Sequence, residues 1–279
     1  MDHKTGEVKN ITRITAVVLA IVSVFMLSAC GSGARNTVTV AGSTSVQPYA
    51  EVLAENYAAR YPDRAVDVQG GGSSTGIRAA QSGTADIGMS SRSLTEEEQE
   101  MWNVVIARDG LVLIVHTDNP VVGLSTEEVR QIYTGAITNW REVGGADRNI
   151  HIVTREEGSG TRGAFEDMLM GDSRITSRAI VQNTNGSVRQ LVSNDIASIG
   201  FLSLGLADHT VKALELNGVA PSWGSVISGD YSLYRPFYFV SAEEPVGTAR
   251  EFIDFTMSVD GQRILMIEGL VSNMTEVGR

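Results

Sequence analysis

Three segments of this sequence repeat one arrangement, in which a short apolar strand candidate ends in a turn of Gly, Ser and Thr and a helix follows. The turns are residues 42–45, 70–76 and 158–161. Short β-branched runs alternate with amphipathic segments around them, which is typical of layered α/β folds. We therefore predict an α/β protein in which three helices start directly after strands.

Further local signals add detail to this prediction. The strongest apolar strand candidate is residues 111–115, and Thr95 and Ser125 have the spacing of capping boxes. Helical spacing predicts one apolar face on the first helix, which includes Tyr49, Leu53 and Tyr57, and another on the third helix, which includes Phe165, Met168 and Leu169.

The first turn of a helix attracts anions, because its N–H groups lack intrahelical partners and the helix dipole is positive there. Glycine lets the backbone approach a ligand, and Ser and Thr hydroxyls can donate hydrogen bonds to it. Ser and Thr are also ordinary N-cap residues, and a cap needs no ligand. Three such turns, two of them near arginine, favour a site for a small oxyanion.

The arginines near these turns suit the same ligand. Arg155 ends the strand candidate before the third turn, Arg162 follows that turn directly, and Arg92 follows a pair of serines. A guanidinium group matches a tetrahedral oxyanion through paired hydrogen bonds. The alternative is a surface ion pair, and two glutamates directly after Arg155 make this alternative substantial for that residue.

Two short motifs raise the alternative of an enzyme. Residues 72–76 read G-x-S-x-G between a strand and a helix, as in the nucleophile elbow of hydrolases, which would make Ser74 the nucleophile. After the N-terminal segment only His116, His151 and His209 are left to serve as a base. None of them has an obvious orienting partner in the sequence. An anion site is favoured over a serine hydrolase, which stays the alternative.

The other motif, residues 158–163, reads G-x-G-x-x-G, but no acidic residue follows about twenty positions later, as a dinucleotide site requires. No P-loop motif occurs, and the histidines do not have metal-ligand spacing. We therefore expect no catalytic residues, no cofactor and no metal.

The N-terminal segment has the features of a targeting signal. Three basic residues precede an apolar run, residues 14–27, that is too short to span a bilayer comfortably. The run ends in Leu-Ser-Ala before Cys30, which resembles a lipobox, where the cysteine receives a diacylglyceryl group and cleavage occurs before it. An ordinary secretory signal with an incidental cysteine is the alternative. We predict a signal peptide at residues 1–29, a lipidated Cys30 and a tether through residue 36.

Charge and composition exclude further classes. The chain has 22 basic and 33 acidic residues, a formal charge of −11, and loss of residues 1–29 would make it −12. An acidic total is wrong for a nucleic-acid-binding protein. The 42% hydrophobic content is too high for a disordered chain, and a single cysteine cannot form an internal disulfide.

Five motifs in one order, behind the lipobox, resemble the phosphate-binding lipoproteins of bacterial high-affinity phosphate ABC transporters. They are AGSTS, QGGGSS, ADIGMSSR, GSGT and YRPF at residues 41–45, 69–74, 85–92, 158–161 and 234–237. The resemblance implies a two-lobed type II periplasmic binding protein, each lobe a mixed sheet flanked by helices, with a two-strand hinge. It also implies an extracytoplasmic monomer that is anchored to the cell membrane by palmitate-type acyl chains on Cys30. Such a protein delivers inorganic phosphate to ABC permease subunits.

The resemblance also implies lobe boundaries and ligands. Lobe one would comprise residues 37–114 and 240–279 and lobe two residues 115–239, with crossings near 113–117 and 234–240. The implied phosphate ligands are Thr44, Ser45, Ser73, Ser91, Arg92, Arg155, Ser159, Gly160 and Thr161.

One of these positions departs from the family pattern. The best-known members have an aspartate, which accepts the proton of bound phosphate, where this chain has Ser91. A hydroxyl can accept that proton too, but it repels sulfate less strongly than a carboxylate does. Another oxyanion, such as sulfate or molybdate, therefore stays an alternative ligand.

Overall fold

The computed structural model describes residues 36–272. The predicted signal peptide and Cys30 lie outside the described residues. Within the described part, none of the helices combines the length and apolar character needed to cross a membrane.

Twelve strands and nine α-helices make up residues 36–272. The strands are β1 (Thr37–Gly42), β2 (Ala65–Gly70), β3 (Ile87–Ser90), β4 (Trp102–His116), β5 (Gly123–Leu124), β6 (His151–Arg155), β7 (Ile180–Gln182), β8 (Ser198–Ser203), β9 (Val211–Ala213), β10 (Glu215–Leu216), β11 (Tyr234–Ser241) and β12 (Val271–Ser272). The helices are α1 (Gln47–Arg60), α2 (Ser73–Gln81), α3 (Glu96–Gln99), α4 (Thr126–Thr134), α5 (Gly160–Phe165), α6 (Asn185–Asn194), α7 (Trp223–Ser228), α8 (Gly247–Met257) and α9 (Val259–Ile267).

The main sheet is mixed, which confirms the predicted α/β class. Its strands lie in the order β2-β1-β3-β11-β4-β8-β6-β7, and β9 and β12 also pair with β4. β1 is parallel to β2 and β3, and β6 is parallel to β7 and β8. β11 and β8 are antiparallel to β4. The three hydroxyl-rich turns follow β1, β2 and β6, as predicted, so each lies at the carboxyl end of a strand.

The strand β4 joins the two halves of this sheet. Residues 102–110 pair with β11, and residues 111–115 pair with β8. The partner therefore changes between Gly110 and Leu111. The sequence predicted only residues 111–115 as a strand, because Arg108 and Asp109 interrupt the apolar pattern before them.

Two large hydrophobic clusters lie on either side of that change of partner. The first combines α1, α8 and α9 with β1, β3 and β11, and Tyr57 packs edge-on against Phe252 at 5.4 Å between ring centroids. The second lies among α4, α5 and β8, where the rings of Phe165 and Phe201 stack at 4.1 Å. Burying such aromatic side chains contributes much of the stability of a core.

The local helix signals hold with one correction. Thr95 and Ser125 form the capping boxes that their spacing predicts. The apolar face of α1 is buried as expected, at Tyr49, Leu53 and Tyr57. The helix predicted to continue past Phe165 with α periodicity instead widens to a π-helical turn at Glu166–Met170.

Candidate functional site

The three hydroxyl-rich turns meet at one buried place. The Ser45 and Thr161 hydroxyl oxygens are 2.7 Å apart, which joins the first turn to the third. The Ser74 N–H donates to the Gly158 carbonyl oxygen at 3.1 Å, which joins the second turn to the third. The sequence predicted this convergence, since the turns follow strands of one sheet.

Gly160 is where the turns approach most closely. A Cβ atom added there would overlap the Ser73 hydroxyl oxygen and lie 2.6 Å from that of Ser91. Ser73 and Ser91 are buried and are joined by a hydrogen bond of 3.1 Å from the Ser91 N–H to the Ser73 hydroxyl oxygen. Only glycine therefore lets the start of α5 lie against these serines.

Helix capping does not explain most of the hydroxyls. Helices α1 and α2 have Val46 and Gly72 at their N-cap positions, and neither helix has a side-chain cap. Ser159 does act as a cap, accepting from the Arg162 N–H at 3.3 Å. The capping alternative therefore holds for the third turn and fails for the other two.

The direction of one proton follows from the partners of Ser45. Its hydroxyl oxygen accepts from Asn185 Nδ2 at 2.9 Å and from Arg235 Nη2 at 3.1 Å, and both groups can only donate. With both lone pairs used, Ser45 donates its own proton to Thr161. The Thr161 proton then points elsewhere and can be donated to a ligand.

Arg155 is buried beside the first turn, with a side-chain exposure of 1%. Its Nε and Nη2 atoms donate to the two carboxylate oxygens of Glu156, each at 3.0 Å. Nη2 also donates to the Thr44 hydroxyl at 3.1 Å, and the carbonyl oxygens of Gln182 and Asn183 accept further bonds. Arg155 thus holds the first turn against the carboxyl end of β6.

A second buried arginine, Arg235, reaches the same turn and was not among the predicted ligands. It lies on β11 opposite Asp109 of β4 and binds that carboxylate at 3.0 Å, with side-chain exposures of 2% and 0%. Asp109 also accepts from the Ser203 hydroxyl at 2.7 Å. The YRPF motif contains Arg235, but no hydroxyl-rich turn adjoins it in the sequence to indicate a site.

Each of these two arginines has one buried nitrogen, Nη1, without a hydrogen-bond partner within residues 36–272. A buried polar group left without a partner costs about 1–3 kcal/mol, and more when the group is charged. Such groups are rare in native proteins and call for an explanation. Two of them beside one cluster of hydroxyls indicate a place for an anion.

Burial is the largest influence on the pKa values of the ion pair between Asp109 and Arg235. Burial raises the pKa of Asp109 to about 6, although the positive charge of Arg235 and its hydrogen bonds act in the opposite direction. Burial lowers the pKa of Arg235, and the charge of Arg155 lowers it further. The two guanidinium groups therefore repel each other, and an anion bound near both would relieve that repulsion.

The other two arginines lie at the edge of the cluster. Arg92 donates to both carboxylate oxygens of Glu98, at 2.7 and 2.8 Å, and reaches the Ser74 hydroxyl at 3.4 Å. Arg162 donates to Glu166 at 2.8 Å and to the Arg155 carbonyl oxygen at 3.2 Å. The structure therefore brings the predicted hydroxyls and Arg155 together. The guanidinium group of Arg92 lies next to them, where it is bound to the carboxylate of Glu98.

The arrangement of a serine triad is not present in the described part of the chain. Ser74 has the Arg92 guanidinium as its side-chain partner. His151 is bonded to Asp195 at 2.6 Å, and His116 lies 3.9 Å from Asp118. Residues 36–272 also contain no cluster of three side chains suited to a metal ion.

Comparison with known proteins agrees with this geometry. A model of the PBP superfamily domain matches residues 28–260. Over 240 residues the chain is 31% identical to the phosphate-binding protein PstS of Bacillus subtilis, across 84% of this chain and 80% of that protein. The chain belongs to the PstS family. A PstS of Borreliella burgdorferi is 28% identical over 91% of this chain and 99% of its own length.

Two solved structures share the fold. A Clostridium perfringens phosphate ABC transporter substrate-binding protein, solved with bound phosphate, has a TM-score of 0.82 and 38% identity, covering 85% of this chain and 99% of that one. An ABC-type phosphate transport receptor from Vibrio cholerae has a TM-score of 0.71 and 37% identity over the same shares. These matches confirm the predicted family and the mixed α/β fold.

Proposed function

We propose that this protein binds inorganic phosphate among its three hydroxyl-rich turns and delivers it to an ABC permease for uptake. The observation that carries the proposal is the meeting of the three turns at one buried place beside Arg155, whose buried Nη1 atom has no hydrogen-bond partner within residues 36–272. The chain belongs to a family whose members are named phosphate-binding proteins, and a similar structure holds phosphate.

Binding requires no covalent chemistry. Hydroxyls, helix N–H groups and guanidinium groups replace the water around the ion in a dry site, where charge-assisted hydrogen bonds are strong. Of the nine predicted ligands, Arg155, Thr44 and Thr161 are the side chains with donors best placed for this. The cluster is completed by Ser45, Ser73, Ser91, Ser159 and Gly160. Arg92 lies at the edge of this cluster and is paired with Glu98.

The division into lobes and the membrane anchor are parts of the same proposal. We divide the chain into lobes at residues 37–114 with 240–279 and at residues 115–239, and the two large hydrophobic clusters support two such bodies. Near the crossings the clusters depart from these bounds, because Phe237 and Phe239 pack in the first cluster and Leu111, Leu113 and Val271 in the second. We place the lipid on Cys30, so that a monomer would remain tethered outside the cell membrane. Closure of the lobes over the ion would bury it.

Sulfate is the ligand that we expect to compete most directly with phosphate at this site. Three carboxylates adjoin the cluster, and each is bound by an arginine: Glu156, Asp109 and Glu98. Ser91 accepts a hydrogen bond of 2.7 Å from Ser43, which uses part of its capacity to accept a proton from phosphate. A site made mainly of donors discriminates weakly against a fully ionised oxyanion.

Isothermal titration of the purified protein tests the proposal directly. We expect saturable one-to-one binding of phosphate, and weaker competition by sulfate. If millimolar phosphate produces neither a heat of binding nor a shift in the melting temperature of the protein, the proposed function is refuted. Tighter binding of sulfate would change the ligand and keep the site, whereas labelling of Ser74 by a fluorophosphonate probe would favour the hydrolase.

A further inference from the structure

Arg155 and Arg235 bind their surroundings in the same pattern. Each uses Nε and Nη2 on a carboxylate, which is Glu156 for one and Asp109 for the other. Each then uses Nη2 on a hydroxyl of the first turn, Thr44 or Ser45. In each the Nη1 atom is buried without a partner.

The planar guanidinium group fixes where that last nitrogen points. Its five N–H bonds lie in one plane, and the outer bonds of Nη1 and Nη2 run side by side. Because the outer Nη2 bond of Arg235 lies on the Ser45 hydroxyl oxygen, the neighbouring Nη1 bond points along the same side, towards the first turn. The ring of Phe237 lies 5.4 Å from the Arg235 guanidinium carbon, so an apolar surface covers one side of the group.

We propose that Arg235 is a second cationic phosphate ligand, which binds the anion through Nη1 beside the first turn. This inference rests on the proposed function and adds a residue to its site. It also explains why two buried cations whose charges repel each other lie against one turn.

Arg235 would connect the ligand to the strands that join the two halves of the sheet. It lies on β11, its carboxylate partner Asp109 lies on β4, and Ser203 of β8 binds the same carboxylate. The Asn185 side chain closes a ring by donating to Ser45 and accepting from the Ser203 N–H at 3.4 Å. An anion bound by Arg235 would therefore be linked, through hydrogen bonds, to residues of β4, β8 and β11.

The test compares two variants that both lack the charge of Asp109, because removing Arg235 alone would leave a buried carboxylate uncompensated. Asp109→Asn keeps the arginine, and Asp109→Asn with Arg235→Gln leaves a neutral pair. Melting curves without phosphate establish that both fold. We expect the double variant to bind phosphate at least about 30-fold more weakly than Asp109→Asn.

Equal affinities in the two folded variants would overturn the inference while leaving phosphate binding by the wild type intact. A wild type that does not bind phosphate would instead refute the proposed function, and the inference with it. Should the double variant fail to fold, a crystal structure of the wild type with phosphate decides. Arg235 Nη1 within hydrogen-bonding distance of a phosphate oxygen supports the inference, and a longer separation overturns it.

Discussion

The two inner arginines of the site, Arg155 and Arg235, differ from the two outer ones, Arg92 and Arg162, in how deeply they are buried and in having a buried nitrogen without a partner. Arg155 and Arg235 are buried, with one nitrogen each left unpartnered. Arg92 and Arg162 have side-chain exposures of 15% and 22% and are paired with glutamates. All four lie near hydroxyl-rich turns and contact a carboxylate, so neither property identifies a ligand. The inner arginines are distinguished by being buried while one nitrogen of each still lacks a hydrogen-bond partner.

The carboxylates paired with an outer and an inner arginine also differ, because their pKa values are shifted in opposite directions. Hydrogen bonding to Arg92 lowers the pKa of Glu98, which lies near the surface. Burial raises the pKa of Asp109, despite an equally close arginine. An ion pair near solvent therefore stabilises its charges, whereas the buried pair holds a cation in place at an electrostatic cost that a bound anion can reduce.

Replacing an inner arginine is expected to have the largest effect. Arg155→Met removes a buried cation with an unpartnered donor, and loss of such a group from a charge-assisted contact costs about 2–5 kcal/mol. We therefore expect phosphate affinity to fall by a factor of about 30 or more, measured by isothermal titration.

Arg60→Met is the matched control, because Arg60 is 56% exposed and its ion pair with Asp260 lies at the surface. Its phosphate affinity should equal that of the wild type. If the two variants bind phosphate equally well, Arg155 does not contact the ion and the inner group has no special role.

The buried carboxylate gives a smaller effect, on stability. Burial raises the folded-state pKa of Asp109 from 3.8 to about 6, so between these values the folded chain binds a proton more strongly than the unfolded chain. The stability contributed by this group therefore falls as pH rises from about 4 to about 6, by at most about 1.4 kcal/mol per pH unit. Above that window the penalty is constant.

Urea unfolding of the wild type and Asp109→Asn, without phosphate, across pH 4 to 7 isolates this contribution. We expect the wild type to lose stability relative to the variant as pH rises through the window. A difference that stays constant with pH would mean that Asp109 has a similar pKa in both states, and that the buried pair is not electrostatically costly.

The sequence predicted the parts of the site that neighbours in the chain determine. Strand, glycine turn and helix start are local signals, so residues 42–45, 70–76 and 158–161 could be placed at the carboxyl ends of strands. Arg235 could not be placed, because its site is made by pairing of β11 with β4, whose residues are 126 positions apart for the contact with Asp109. The apolar pattern of β4 was also broken by Asp109 itself, which hid half of the strand.

The same reasoning explains the π-helical turn after α5. Phe165, Met168 and Leu169 have helical spacing, and that spacing cannot distinguish an α-helix from one widened by an extra residue per turn. The side chains still reach the second hydrophobic cluster, where Phe165 and Leu169 are buried. The wider turn is therefore compatible with burial of the same apolar residues, and their spacing did not indicate it.

Replacing an outer arginine should have the smallest effect. Arg92→Gln removes an ion pair with Glu98 but no buried nitrogen that lacks a partner, so a phosphate ion loses little by the change. We expect phosphate affinity to change less than about fivefold in titrations run beside Arg155→Met. Because the Arg92 nitrogens bind Glu98 and the Ser93 carbonyl oxygen, little donor capacity is left for an anion. A loss as large as that of Arg155→Met would mean that Arg92 leaves Glu98 for the ion, and the distinction between inner and outer arginines would fail.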